Sequence, residues 1–158
     1  MNEVVSYHLE PGFIYVSNQC AVIRTVVGSC VAVSLWDRKK CCGGMNHFLY
    51  ARPGENDRPT ARFGTVAVPA LVKMMEKLGC RRRNITAQVY GGARQSMTTK
   101  NRAGEENALT AKKILNDLGI RIVSEDIGGL MGRKILFDTH TGQVAVLKVH
   151  TLRATDWY

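Results

Sequence analysis

The spacing of apolar positions changes several times along the chain, and each change marks an element. Residues 20–27, CAVIRTVV, are β-branched and partly alternating. Gly28 and Ser29 interrupt them, and residues 30–36, CVAVSLW, resume an extended pattern. Val31, Val33 and Leu35 then share one face, and Ala32, Ser34 and Trp36 the other. The polar run 37–40, DRKK, has turn composition, and residues 41–49 read as a returning strand with a glycine-rich start. The expected hairpin brings the region after Gly28 close to His47. A Pro- and Gly-containing loop covers 51–62. Val68, Leu71, Val72, Met75 and Leu78 recur at helical spacing, which predicts a helix over 65–78 ended by Gly79, with Pro69 placed in its first turn.

The second half repeats this plan loosely. A strand at 85–90 ends on Gly91-Gly92, and a polar loop follows from 94 to 104. A second helix is expected over 105–118, with Glu105 and Glu106 at its positive end and Ala108, Ala111, Leu115 and Leu118 as its buried stripe. Gly119 caps it. Strands follow at 120–124, 133–137 and 143–149, the last after a turn at 138–142. Two stretches thus read helix, Leu-Gly, strand, Gly-Gly. The likeness is too weak to be a repeat, but it supports a layered α/β domain with two helices packed on strands. With no linker or low-complexity tract, residues 1–158 are expected to form one domain.

Composition narrows the class. A hydrophobic fraction of 45% and a charged fraction of 22% are those of a globular protein. No apolar run reaches the roughly 20 residues a spanning helix needs, so no membrane insertion is expected. The N-terminus lacks a basic stretch leading into an apolar block, which points to the cytoplasm. The five cysteines then read as free thiols. A net charge of +9 raises nucleic-acid binding, but the basic clusters are not interleaved with aromatic residues, so none is expected. An acidic protein partner or simple solubility is the plainer explanation of the charge.

One place offers chemistry. Cys30 follows the Gly28-Ser29 break, where freed backbone N–H groups suit an oxyanion. A thiol needs a base to become a nucleophile, and the hairpin offers His47. The residues alone leave two readings open: a catalytic pair, or a core thiol beside a hydrogen-bonded strand histidine. Adjacent Cys41 and Cys42 raise a zinc site with Cys30 and His47, disfavoured by the absence of C-x2-C spacing, and a regulatory disulfide with Cys30. His8, His140 and His150 read as surface or packing residues, and Cys20 and Cys80 as structural.

The run from Thr25 to Asp37, TVVGSCVAVSLWD, followed by GGMNH at 43–47, resembles the signature of the CheD family of chemoreceptor glutamine deamidases. The likeness continues through FGTVAVPAL at 63–71, VYGGA at 89–93, GEEN at 104–107, GRKI at 132–135 and TGQV at 141–144. The chain departs from the family pattern in lacking an Arg before Asn107, which bears on a loop or helix-cap role. The resemblance implies an α/β sandwich related to deamidating toxins and a protein-glutamine glutaminase activity on methyl-accepting chemotaxis receptors. It implies Cys30 as nucleophile, His47 as base and Thr25 as the residue orienting His47, with backbone groups at Gly28 and Ser29 holding the oxyanion. No cofactor or metal is implied, and the phosphatase CheC is the second partner. The alternative is a regulatory binding module acting on CheC or a receptor array.

Overall fold

The computed structural model describes residues 3–97 and 100–150. Among these described residues nine strands form two sheets: β1 (Val5–His8), β2 (Ile14–Ser17), β3 (Ala21–Val27), β4 (Val31–Asp37), β5 (Cys42–Phe48), β6 (Ile85–Gly91), β7 (Arg121–Ile127), β8 (Gly132–Asp138) and β9 (Val144–Val149). Two helices, α1 (Gly64–Lys77) and α2 (Ala103–Asp117), complete the elements apart from a single 3-10 turn at Arg82–Asn84. One sheet runs β1-β3-β8-β9 and the other β2-β5-β4-β6-β7, antiparallel except for β1 with β3 and β6 with β7.

The central strand β4 explains the layering. Its odd positions Val31, Val33 and Leu35 pack in a core shared with Val68, Leu71 and Met75 of α1 and Ala111 and Leu115 of α2. Its even position Ala32 packs in a second core with Ile23 and Val27 of β3 and Ile135 and Phe137 of β8. Both faces of the five-stranded sheet are therefore covered, one by helices and one by the four-stranded sheet. This is the expected α/β sandwich, built as three layers. It also explains why all seven residues of β5 are buried, polar ones included.

The two expected glycine stops are alike in detail. After α1, Gly79 N–H reaches the Glu76 carbonyl and Cys80 N–H the Met75 carbonyl. After α2, Gly119 and Ile120 do the same to Asn116 and Leu115. Pro69 is the sixth residue of α1 rather than a first-turn residue. Its missing N–H leaves the carbonyl of Thr65 without a helical partner, and Thr65 is exposed to water. The start of α1 is held instead by the chain leaving β5: Gly64 and Thr65 donate to the carbonyls of Tyr50 and Ala51 at 2.8 and 3.0 Å. Of the loop expected over 94–104, residues 98 and 99 lie outside the described residues, and α2 begins at Ala103, slightly earlier than expected.

Strands β1 and β2 have no counterpart in the sequence reading. Each is four residues long, sits at the edge of its sheet and is half-exposed or exposed, so neither shows a clean alternation. Between them, residues 9–13 cross from one sheet to the other. No helix among the described residues is long and apolar enough to cross a membrane.

Candidate active site

The register of the hairpin decides where the candidate residues fall. His47 pairs with Ala32 across β4 and β5, so it shares the face of Ala32, toward the four-stranded sheet. Cys30 lies two residues before Ala32, on the same side, and packs against the same inner core. Cys30 and His47 are thus diagonal cross-strand neighbours at the open end of the hairpin, a relation with Cα separations of about 7–8 Å.

Thr25 reaches the pair from the opposite sheet. It lies on β3 and is 2% exposed, and its hydroxyl is 2.7 Å from Nδ1 of His47. The same hydroxyl donates to the Leu9 carbonyl at 2.8 Å. A threonine hydroxyl has a single proton, so with that proton on Leu9 the bond to His47 must be donated by the ring. The imidazole is therefore protonated on Nδ1, and Nε2 carries the free lone pair. Nε2 is buried and has no hydrogen-bond partner. His47 shares its sheet face with Cys30, and no hydrogen bond joins Nε2 to the thiol.

The backbone of His47 is fixed as closely as its ring. Its carbonyl accepts from Gly12 N–H at 2.7 Å, and its N–H donates to the Phe13 carbonyl at 3.3 Å. Gly12 adopts φ +87°, which lets the crossing segment 9–13 fold back over His47. Sequence reasoning missed this segment. Only the Pro11-Gly12 pair signalled a turn there.

The turn before and at Cys30 is pinned by its carbonyls. Gly28 accepts from Ala93 N–H and Cys30 from Gly92 N–H, both at 2.9 Å, and Ser29 accepts from the Asn107 carboxamide at 3.0 Å. All three carbonyls of this turn are thus engaged. The Cys30 N–H lies against its own sulfur and favours the thiolate. Burial works the other way and is the larger effect, pushing the thiol up to about 11. Burial, with a smaller contribution from the charge of His8, brings His47 down to about 4. At neutral pH the resting pair is therefore thiol and neutral imidazole. His8, read from sequence as a surface or packing residue, is half-buried and close enough for its charge to act on His47.

Cys41 and Cys42 stand at the other end of the hairpin, where Cys42 pairs with Asp37. Asp37 lies seven positions along the chain from Cys30, a span of about 23 Å. Neither a disulfide to Cys30 nor a zinc site joining these residues to His47 fits that geometry, and no metal-ligating cluster occurs among the described residues. The free thiols expected from sequence are all unpaired.

Two comparisons bear on this arrangement. The family model "CheD chemotactic sensory transduction" matches residues 50–148, a span beyond Thr25, Cys30 and His47. Similar proteins cover more of the chain. A protein of Methylobacillus flagellatus is 40% identical over 145 residues, which is 88% of this chain and 71% of that one. One from Anaeromyxobacter dehalogenans is 41% identical over 137 residues (85% and 80%), and one from Archaeoglobus fulgidus 40% over 130 residues (80% and 83%). The first and third bear the name "Probable chemoreceptor glutamine deamidase CheD", and the second the same name with a numeral. With a family model matched over more than half its length and relatives near 40% identity, this chain belongs to the CheD family.

Proposed function

We propose that this chain is a cysteine-dependent protein-glutamine deamidase that converts glutamine side chains of chemoreceptors to glutamate, the whole chain acting as one catalytic domain. The observation that carries the reading is the bond from His47 Nδ1 to Thr25, which leaves a buried, unpartnered Nε2 on the face and at the strand end where Cys30 lies. The names of the relatives supply the substrate class. Those receptor glutamines sit on cytoplasmic helices, so the enzyme works in the cytoplasm.

The reaction runs in two halves. As Cys30 Sγ attacks the side-chain carbonyl carbon, Nε2 of His47 takes the thiol proton. Because the thiol is held high and the imidazole low, transfer accompanies attack rather than preceding it. The backbone N–H groups of Ser29 and Cys30, in the turn begun by Gly28, receive the oxyanion. Nε2–H then protonates the leaving nitrogen, ammonia departs and a thioester remains. His47 next takes a proton from water, the hydroxide adds to the thioester carbonyl, and the carbon–sulfur bond breaks. The proton returns to sulfur and the product is glutamate. Thr25 keeps the ring in the Nδ1–H form throughout. No step requires a metal or organic cofactor.

Intact-mass analysis of a receptor cytoplasmic fragment tests this directly. Wild-type protein should add about 1 Da per modified site, and Cys30→Ala should add none. No mass change with wild type would end the enzymatic reading and leave a regulatory binding module. CheC is the further partner that this reading carries. Failure of CheC and this chain to co-purify would remove it.

A further inference from the structure

Asn107 lies on the inward face of α2 and is 1% exposed. Its amide nitrogen carries two protons, and the two go to different elements. One reaches the Ser29 carbonyl at 3.0 Å, in the turn that presents Cys30. The other reaches the Leu49 carbonyl at 2.8 Å, two residues beyond His47. The ladder between β4 and β5 ends at the pair Val31 and Phe48. Continued by one step, its register would pair Cys30 with Leu49. Asn107 supplies a bridge where the ladder stops, between the residue preceding the nucleophile and the strand that carries the base.

Gly92 and Ala93 hold the Cys30 turn through backbone bonds to Cys30 and Gly28. They come from the chain beyond β6 and fix the turn only relative to that strand. Among the described residues, Asn107 is the side chain that ties the turn to the β5 side. Its Oδ1 is buried with no partner. An apolar side chain of the same shape would fill the space without that orphan, so packing alone does not call for an amide here.

We propose that Asn107 is a positioning residue for the reaction, its carboxamide setting the separation and orientation of the Cys30 thiol and the His47 imidazole. The proposal rests on the reading of those two as the reacting pair. Asn107 also lines a groove of about 700 Å³ with Tyr50, Arg52, Asp57, Arg62 and Glu106.

Two variants test the role, Asn107→Leu and Asn107→Asp, through kcat and KM on a receptor fragment from pH 5 to 8, iodoacetamide labelling of Cys30, and thermal unfolding. Asn107→Leu keeps the shape and loses both donors. It should lower kcat about 10- to 100-fold with KM changed less than about threefold, and change the Cys30 labelling rate by about threefold or more. Asn107→Asp faces two carbonyls with a carboxylate, which recovers a donor only when protonated. Its kcat should rise about tenfold toward pH 5, while wild type stays flat. The groove's charged groups are common to all three proteins, so a slope confined to Asn107→Asp belongs to position 107.

Unchanged kcat in Asn107→Leu, a loss confined to KM, or an Asn107→Asp profile parallel to wild type would overturn the proposal. So would a variant that unfolds below assay temperature, since the role would then be structural. If wild type fails to deamidate the fragment, the reaction reading falls, and labelling alone decides: unchanged Cys30 reactivity in Asn107→Leu overturns positioning.

Discussion

The Thr25 hydroxyl has one proton and the Leu9 carbonyl takes it, so His47 can meet Thr25 only as a donor. Thr25→Val keeps the shape and removes the acceptor, leaving a buried ring N–H and a buried carbonyl unpaired. Deamidation kcat should fall roughly 10- to 100-fold, and Thr25→Ser should restore most of it. The pH behaviour follows from burial. Iodoacetamide labelling of Cys30 should show no shoulder between pH 6 and 7 and should climb toward the thiol value near 11. A plateau at neutral pH would instead reveal a preformed thiolate–imidazolium pair. His47 also links stability to pH. Its folded value, about 4, is below the unfolded 6.5, so between these values the unfolded chain binds a proton that the folded chain refuses. Stability is full above pH 6.5 and falls as pH drops toward 4, by on the order of 3 kcal/mol. Urea titrations at pH 7 and pH 4.5 measure it, and His47→Gln should flatten this part of the curve.

At the scale of elements, the turn carrying Cys30 is shaped by the chain leaving β6. Gly91 adopts φ +107°, and a Cβ there would collide with the Cys30 carbonyl. Gly91→Ala should destabilise the protein by about 2–4 kcal/mol and alter Cys30 labelling, because the strain falls on the turn that carries Cys30. Gly119→Ala is the control: its φ is +73° but nothing lies within 4 Å, so it should cost about 1–2 kcal/mol and leave labelling unchanged. Gly91 and Gly119 both stood out in the sequence as ends of elements, and only the structure separates their consequences. Similarly, Asn107 falls among Gly104, Ala108, Ala111 and Leu115 on the buried side of α2. A polar residue on an apolar stripe was a visible signal, but its two acceptors lie 58 and 78 residues away in the chain.

For the whole molecule, the formal charge of +9 should matter to encounter rather than to chemistry. Receptor helices rich in glutamate are an acidic target. Raising ionic strength from about 0.01 to 0.15 M shortens the screening length from about 30 to 8 Å, so kcat/KM on intact receptor should fall while kcat holds. A salt-independent kcat/KM would assign the charge to solubility alone.

Period and punctuation along the chain were enough for both helices, seven of the nine strands, the hairpin carrying Cys30 and His47, and the glycine stops, because these depend on neighbours within a few turns or one hairpin. The quoted motifs led to the family. The two edge strands, the crossing at residues 9–13, the Leu9 carbonyl behind Thr25 and the bridge from Asn107 were decided by tertiary structure. Each is a contact between segments remote in sequence or a short half-exposed strand, and local periodicity carries no record of either. The tautomer of His47 belongs with them, since it depends on where one hydroxyl proton goes once two sheets have closed on each other.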